Sequence, residues 1–437
     1  MSDTIFALAS GAGVCAVSVI RVCGPDADAA LTSLCQTLPE PRRAALRTIR
    51  HPLTKLLLDQ CLVLRFKAPA SFTGEDGFEL HIHGGRAVTA GVLEALGACR
   101  GLRPARAGEF TRRAFIHGKL DLTEAEGLAD LIDANTSAQR DQALAQVGGR
   151  LSVCAQAWRR AILELQAAVE AEIDFSDEGD VPADVTARVL RDVAHLSAEM
   201  AAAVRDGRRG EILRHGFTVV LAGAPNVGKS SLMNALVRRD VAIVSAIPGT
   251  TRDLIEVSLD LEGLPVVLVD TAGLRETADE VEREGVRRTR DRAASANLVL
   301  WLTSPDASAP EDRSDFPDAM VQHVLSKSDL AQIESDPEQP CRVSVRTGEG
   351  VAELLDLIVD HARKALRPEE PAMVSRERHR ADIGAASQAL GRIDPAAPVE
   401  VVAEELRTAA RSLGALIGLV SPEDVLGEIF SRFCIGK

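Results

Sequence analysis

The chain has 437 residues, of which 46% are hydrophobic, and its formal net charge is −14. This length and apolar content suffice for two or three domains with their own cores. No run of 18 apolar residues occurs, which argues against a membrane span, and the negative charge excludes attraction of nucleic acid by the surface as a whole. The eight cysteines are scattered without metal-binding spacing and no signal-peptide pattern opens the chain, so we expect a cytoplasmic protein with reduced thiols.

Residues 1–118 carry strand signals separated by glycine turns, and we predict a small α+β domain there. Apolar residues alternate along Leu62–Phe66 and again along Phe78–Ile82, which is typical of half-buried strands. If the second stretch is a strand, Glu79 and His81 lie on its opposite, polar face. His81 and His83, two residues apart on that face, could hold a metal, but no third ligand is evident.

Helical patterns follow over residues 119–215 and return over residues 372–437. The first stretch has a capping box predicted at Thr123 and Glu126 and an apolar stripe from Trp158 to Ile173. The second has an apolar stripe from Val402 to Leu416. Because neither stretch alone has a large core, we expect one discontinuous helical domain interrupted by an insertion, and two independent helical pieces are the alternative.

Residues 216–371, the insertion, contain a complete phosphate-binding loop. Gly223-Ala-Pro-Asn-Val-Gly-Lys-Ser230 follows a short apolar strand and precedes a helix. The glycines let backbone N–H groups approach a phosphate, and the helix N-terminus adds a positive dipole. Lys229 is expected on the β- and γ-phosphates and the Ser230 hydroxyl on Mg²⁺. With the motifs downstream, this pattern predicts a Ras-like P-loop G domain.

The motif Ser326-Lys-Ser-Asp329 predicts the choice of base. A carboxylate at Asp329 can accept two hydrogen bonds from the N1–H and 2-amino groups of guanine, which adenine does not offer, so we expect GTP. Lys327 would pack its stem over the base. Ser326 stands where asparagine is usual, and Val345 stands where alanine is usual. Because serine lacks the reach of the amide, we expect a lower affinity for guanine than in other G domains.

The residues expected to act on the γ-phosphate lie between the phosphate loop and the base motif in the sequence. Asp270 would hold Mg²⁺ through water, Thr251 would complete the metal shell, and the Gly273 N–H would contact the phosphate. Leu274 takes the position of the water-orienting glutamine of Ras-type GTPases and cannot orient water. Hydrolysis is then very slow or another group acts, and the acidic stretch Asp279–Glu282 is a candidate whose alternative is a solvated loop.

Motifs along nearly the whole chain resemble one family, the tRNA-modification GTPases called MnmE or TrmE. They are the segments Asp3–Ile5, Ile20–Val22, Phe72–Asp76, Glu79–Leu80, His83–Gly85, Gly108–Thr111, Arg113–Phe115, Lys119–Leu122 and the terminal Phe433-Cys-Ile-Gly-Lys437.

The resemblance implies a domain order and a set of ligands. We expect a multidomain α/β protein: an α+β tetrahydrofolate-binding and dimerisation domain (1–118), a helical domain in two parts (119–215 and 372–437) and an inserted GTPase domain (216–371). Folate would be 5,10-methylene- or 5-formyltetrahydrofolate. The positions that match the family's folate contacts are Arg21, Glu79, Lys119 and Lys437.

The resemblance also assigns the nucleotide site. Glu282 matches the water-positioning glutamate and acts in catalysis with Lys229. Mg²⁺ would be held by Ser230 and Thr251, and K⁺ by Asn226, Ser245, Ile247 and Thr250. The residues expected to contact GTP are Asn226, Val227, Gly228, Lys229, Ser230, Ser231, Ser245, Ala246, Ile247, Pro248, Gly249, Thr250, Thr251, Asp270, Thr271, Ala272, Gly273, Lys327, Asp329, Ser344, Val345 and Arg346.

The implied function is that of a K⁺-stimulated GTP hydrolase, a homodimer. With an FAD-containing partner of the MnmG type, in a heterotetramer, it would install an aminomethyl-type (carboxymethylaminomethyl) group at C5 of the wobble uridine of tRNA. A GTP-switched ribosome-assembly factor is the alternative, and a GTP-dependent scaffold is a third hypothesis. Cys434 near the chain end is either a packed thiol or a chemical group. The arginines that cluster between Arg100 and Arg113 either approach tRNA or solvate the surface.

Overall fold

The three-dimensional structure is a computed structural model, and it describes residues 3–11, 13–174, 184–238, 242–245, 256–270, 296–307, 319–330, 341–367, 372–420, 423–431, 433 and 435–436. The chain divides into two compact units. The N-terminal unit comprises residues 1–129 and 417–437, and the central unit comprises residues 130–416. The four-part division of the chain at residues 118, 215 and 371 stays a prediction.

The N-terminal unit is built on one mixed sheet. Its described strands are β1 (Thr4–Leu8), β2 (Val17–Cys23), β3 (Ala45–Arg50), β4 (Leu57–Phe66), β5 (Gly77–His83) and β6 (Leu102–Pro104), in the order β3-β4-β5-β2-β1-β6. Only β1 and β6 pair in parallel among them. Its first helices are α1 (Ala27–Cys35), α2 (Arg86–Gly97) and α3 (Glu109–Ile116).

One face of this sheet forms a core with α1 and α2. Phe78, Leu80 and Ile82 of β5 are fully buried in it, and Glu79 and His81 lie on the other face. The strand predicted over Phe78–Ile82 and its polar face are therefore confirmed. The alternation of the strand places the two sets of side chains on opposite sides.

The helical segments pack together as one discontinuous bundle. Before the nucleotide-binding segment come α4 (Leu122–Asp133), α5 (Ser137–Val147), α6 (Arg150–Asp174) and α7 (Asp184–His215). Helix α9 (Val351–Leu366) is the last helix of that segment, and the helices after it are α10 (Glu377–Gly391), α11 (Val399–Leu416) and α12 (Glu423–Ser431), of which α12 belongs to the N-terminal unit. Helix α10 packs on α7 and α11 packs on α6, so the discontinuous helical domain is confirmed.

The capping box predicted at Thr123 and Glu126 is wrong. Asp121 and Glu124 form it instead: the Glu124 N–H donates to Asp121 Oδ1 and the Asp121 N–H donates to Glu124 Oε2, each at 2.9 Å. Helix α4 begins two residues earlier than predicted because Leu122 is fully buried in its first turn, and Thr123 and Glu126 are buried inside the helix.

The nucleotide-binding segment is a mostly parallel sheet with α8 (Lys229–Arg238) following its first strand. The strands are β7 (Phe217–Gly223), β8 (Ala242–Ser245), β9 (Glu256–Leu261), β10 (Leu264–Asp270), β11 (Leu298–Thr303), β12 (Met320–Ser326) and β13 (Cys341–Val343), in the order β13-β12-β11-β7-β10-β9-β8. Strands β7, β10, β11, β12 and β13 run parallel, and β8 and β9 form the antiparallel edge. This is the doubly wound order of a Ras-like P-loop fold, with the loop after β7 at the carboxyl end of the central strands.

Candidate functional site

The phosphate loop joins the end of β7 to the start of α8. Gly223 has φ +139°, and a Cβ there would lie 2.3 Å from the Leu302 carbonyl oxygen, so only glycine fits. Gly228 has φ +98° and Asn226 has φ +63°, the left-handed region in which asparagine is among the tolerated residues. A glycine-containing loop that leads directly into a helix N-terminus is an arrangement that binds anions.

Two side chains of α8 define the chemistry of this loop. The Lys229 amino group donates to the carbonyl oxygens of Gly223 at 2.7 Å and Ala224 at 3.1 Å. The Ser230 hydroxyl donates to Asp270 Oδ2 at 2.6 Å, and Asp270 is buried at the end of β10. A hydroxyl beside a buried carboxylate is the oxygen-rich arrangement that Mg²⁺ prefers, so these residues fit a Mg²⁺–nucleotide complex. Ser231, next in the helix, is exposed, and Val227 is buried under the loop.

The base site lies where β12 and β13 end. Asp329 stands in a short 3-10 helix, Ser328–Leu330; Ser344 Oγ donates to its Oδ1 at 2.7 Å and Arg346 Nε lies 3.2 Å from its Oδ2. The hydrogen bond from Ser344, with the charge of Arg346, lowers the pKa of Asp329 below its usual value. An ionised carboxylate held in this way can accept two N–H donors of a guanine.

Ser326 and Lys327 connect this base site to the phosphate loop. The Ser326 hydroxyl contacts the carbonyl oxygen of Val227 in the loop and that of Thr303, at 3.0 Å, at the end of β11. Lys327 has φ +51° and its amino group lies 2.7 Å from Asp306 Oδ2. Val345 is 41% exposed beside this site. The structure thus brings together the predicted phosphate-loop residues and, separately, the predicted base-site residues.

Several predicted site residues lie outside the described residues, and one is described only as backbone. Ser245 ends β8, and its side chain is not described. The catalytic prediction Glu282, the possible site Cys434 and the folate prediction Lys437 lie outside the described ranges, as do Ala246, Ile247, Pro248, Gly249, Thr250, Thr251, Thr271, Ala272 and Gly273.

A second candidate site lies on the polar sheet face of the N-terminal unit. Arg21 and Glu79 are paired across β2 and β5, with Arg21 Nε 3.0 Å from Glu79 Oε1. The rings of Phe72 and Phe110 lie 5.1 and 5.8 Å from the Arg21 guanidinium carbon. Sequence reasoning missed these two aromatic neighbours because a loop and α3, not the strand pattern, bring them there. A cation, a carboxylate and apolar rings together can hold a planar, charged ligand.

Of the remaining folate predictions, Lys119 lies in the described part of the chain, next to the loop that contains Phe72. A Cβ at Gly74 would lie 3.4 Å from Lys119 Cε, so the exposed lysine stands beside this loop. At the chain end, Ile435 bridges Ala107, and a Cβ at Gly436 would lie 2.2 Å from the Leu8 carbonyl oxygen. The last described residues therefore return to β1, next to β2.

Two members of the predicted arginine cluster, Arg103 and Arg113, form ion pairs within the N-terminal unit. Arg113 is fully buried and contacts Asp3, Glu75 and Glu109, while Arg103 pairs with Asp3 and Glu109. Burial opposes the charge of Glu109, yet hydrogen bonds from Arg103, the Arg106 backbone and Arg113 lower its pKa to about 2. Arg113 therefore does not solvate the surface, and contact of the other arginines with tRNA stays a prediction.

Comparison with known proteins gives the same family along both parts of the chain. Residues 4–119 match the family described as the GTP-binding protein TrmE N-terminus, and residues 122–434 match the MnmE helical domain. The tRNA modification GTPase MnmE of Methylorubrum populi is 55% identical over 440 residues, covering 100% of this chain and 98% of the relative. That of Rhodopseudomonas palustris is 53% identical over 441 residues, covering 100% and 99%.

Two solved structures are similar to part of the chain. The FeoB G-domain of Methanococcus jannaschii is 23% identical, with a TM-score of 0.24, and covers 34% of this chain and 98% of that one. A GDP-bound Aquifex aeolicus Era is 21% identical, with a TM-score of 0.25, and covers 39% of this chain and 65% of that one. No helix in the described part of the chain is long and apolar enough to cross a membrane.

The sequence motifs, the phosphate loop and the full-length identity to curated relatives agree with one another. The chain belongs to the MnmE (TrmE) family of tRNA modification GTPases.

Proposed function

We propose that this GTPase is stimulated by K⁺ and, with an FAD-containing MnmG-type partner, installs an aminomethyl-type (carboxymethylaminomethyl) group at C5 of the tRNA wobble uridine with a tetrahydrofolate one-carbon unit. The observation that carries the proposal is the phosphate loop, in which Lys229 and the Ser230–Asp270 pair are already gathered around the N-terminus of α8. A homodimer in the cytoplasm is part of the same proposal.

Hydrolysis of GTP on this loop is a matter of positioning and charge. The N–H groups of the loop and Lys229 would bind the β- and γ-phosphates, and Ser230 and Thr251 would hold Mg²⁺, which neutralises the charge that develops on the phosphate oxygens. Asp270 would orient a metal-bound water. Glu282 is the proposed orienting group for the attacking water, since Leu274 has no polar atom for that role.

K⁺ is proposed to bind beside the phosphate loop. Asn226 adopts φ +63° in the loop, and the residue is exposed. The amide oxygen, with oxygens of Ser245, Ile247 and Thr250, would give a cation site. A fixed monovalent cation near the bond that breaks can supply the positive charge that other GTPases obtain from an arginine finger.

Folate is proposed to bind at the Arg21 face of the N-terminal unit. Glu79 would accept hydrogen bonds from a pterin-type ring while Phe72 and Phe110 offer apolar contact and Lys119 and Lys437 offer charge for a carboxylate tail. The one-carbon unit bound there would be the source of the methylene group added to uridine.

The test is the nucleoside composition of tRNA, measured by mass spectrometry in cells that lack the protein and in cells that regain it. We expect the C5-substituted wobble uridine to disappear and to return. Restoration with Arg21→Ala, which removes the proposed folate contact but leaves the phosphate loop intact, should fail to return it. Unchanged nucleosides in the deleted cells would contradict the proposal and favour the ribosome-assembly alternative.

A further inference from the structure

The β9–β10 hairpin runs from the nucleotide site to the helical bundle. At one end of β10, Asp270 accepts the hydrogen bond of the Ser230 hydroxyl at 2.6 Å. At the other end, Glu262 and Gly263 form the hairpin turn, with Gly263 at φ +83°. Six register pairs hold β9 and β10 together, and β10 pairs in parallel with β7. The hairpin is therefore stiff along its length.

The tip of the hairpin contacts the first turn of α5. The Ala138 N–H donates to the Gly263 carbonyl oxygen at 3.1 Å, and a Cβ at Gly263 would lie 2.3 Å from Ser137 Oγ. Thr136 and Gln139 form a capping box on the same turn. The free N–H groups of a helix N-terminus need partners, and one of those of α5 is satisfied by the hairpin.

The same turn of α5 is joined to the two segments by which the chain enters and leaves the nucleotide-binding part. Gln139 Nε2 donates to the Arg214 carbonyl oxygen at 3.0 Å. The Arg214 side chain lies 2.7 Å from Asp130 Oδ1, and the Arg376 side chain lies 2.5 Å from the same atom. Arg214 lies in the last turn of α7, just before β7, and Arg376 is the N-cap residue of α10. The Asp130 carboxylate, whose side chain is 13% exposed, therefore pairs with both chain segments that connect the nucleotide-binding part to the helices.

A cavity of about 260 Å³ lies along the hairpin at this place. Ser258, Val266 and Val267 of the hairpin line one part of it, and Gln146 of α5 and Ser375 line another. Gln146 Nε2 and Ser375 Oγ are buried and have no hydrogen-bond partner within the described residues. A polar cavity of this size leaves room for the strands to shift against the helices without opening an apolar core.

We propose that the β9–β10 hairpin couples the nucleotide site to the helical bundle through the backbone contact of Gly263 with Ala138. Mg²⁺ bound with a nucleotide would take the Ser230 oxygen as a ligand, the hydroxyl proton would then no longer be donated to Asp270, and we expect the end of β10 to adjust. A paired hairpin carries this adjustment to its tip, where the strength of the contact with α5 changes. The bound nucleotide would then shift the equilibrium between two conformations of the first turn of α5 and of the connecting segments that pair with Asp130.

Hydrogen exchange of the α5 amides tests this coupling on the full chain, with GDP or with a non-hydrolysable GTP analogue and Mg²⁺. In the natural protein we expect the exchange rates of residues 139–147 to differ between the two nucleotides by at least about five-fold, the lower end of usual coupling. Ala138→Pro removes the donated N–H at a position in the first helical turn where proline is tolerated. Gly263→Ala opposes both the positive φ and the close approach to Ser137.

Both variants should bind the two nucleotides within about two-fold of the natural affinity and lose the difference in α5 exchange. Glu262→Gln is the matched control, because it breaks only the exposed ion pair of the hairpin tip with Arg363 and keeps the backbone contact. It should keep the difference. The proposal is overturned if the natural protein shows no difference, if both Ala138→Pro and Gly263→Ala retain it, or if Glu262→Gln abolishes it.

Discussion

Ser326 stands at a position of the base motif where asparagine is usual, and this difference changes the number of hydrogen bonds that the side chain can donate. Its hydroxyl carries a single proton, yet both atoms that it contacts, the carbonyl oxygens of Val227 and Thr303, are acceptors. The asparagine that is usual at this position has two N–H donors and a carbonyl oxygen. Ser326 therefore links the base site to the phosphate loop with one donor where an amide would use two.

We expect Ser326→Ala to weaken GDP binding about five-fold, because one net hydrogen bond is worth about 1 kcal/mol, and Ser326→Asn to strengthen it. Titration calorimetry with GDP measures both changes. Ser328→Ala is the control, since that buried hydroxyl two residues away has no hydrogen-bond partner in the described part of the chain. Equal GDP affinities for the natural protein and Ser326→Ala would show that the contacts of the Ser326 hydroxyl do not support the nucleotide site.

Glu109 is one of the carboxylates whose lowered pKa should make the N-terminal unit sensitive to acid; Asp3, Asp28 and Asp59 also have pKa values below their usual range. Its pKa in the folded chain is about 2 against an ordinary value of 4.5, so the folded state favours the carboxylate. The resulting stability is fully present above pH 4.5 and is lost as the pH falls toward 2, with a limit of about 3 kcal/mol. We expect Glu109→Gln to flatten this part of a denaturation–pH curve. Glu40→Gln, at an exposed ion pair, should leave the curve unchanged, and a curve that stays steep in Glu109→Gln would assign the acid sensitivity elsewhere.

At the scale of elements, the sequence predicted what periodicity and local chemistry determine. The strand before the phosphate loop and the apolar stripe of α11 are both present. The alternation along β4 was found, but its buried side chains are Cys61 and Val63, whereas Leu62 is 47% exposed. Alternation reveals the two faces of a strand, and only the packing of α1 and α2 decides which face is covered.

The phosphate loop as an element carries the prediction on K⁺. We expect GTP hydrolysis in K⁺ to exceed that in Na⁺ by at least about ten-fold at equal ionic strength, because a positive charge at the position of an arginine finger is worth about 10³-fold or more. Asn226→Gly should abolish this preference and keep GDP binding, since glycine adopts φ +63° without strain and removes only the amide.

Gly228→Ala would not serve as a control for Asn226→Gly, because it introduces strain at φ +98°. Asn234→Ala is better matched: it removes an exposed amide on α8 outside the predicted GTP contacts, and it should leave the ratio of rates in K⁺ and Na⁺ unchanged. A ratio near one in the natural protein, or one that Asn226→Gly preserves, would remove Asn226 from the proposed cation site.

At the scale of the whole molecule, the C-terminal segment belongs to the N-terminal unit although some 290 residues separate them in sequence. Phe430 and Phe433 pack on Leu122 and Ala125, and the Phe430 ring lies 6.0 Å from that of Phe115. No periodicity in residues 417–437 indicates this partner, because an apolar helix face predicts burial and not what buries it. Only the family resemblance pointed to a shared role for the two chain ends.

Phe430→Ala tests whether this segment stabilises the unit that holds the proposed folate site. Replacing a buried phenylalanine leaves a cavity and costs about 3–5 kcal/mol, which should lower the melting temperature of the N-terminal unit by roughly 6–20 °C. Leu419→Ala, at a side chain that is 62% exposed in the same segment, should change it little. GDP binding by the central unit should survive in both variants. An unchanged melting temperature would show that the segment does not stabilise the N-terminal unit, and a loss of GDP binding with Phe430→Ala would show that its effect is not confined to that unit.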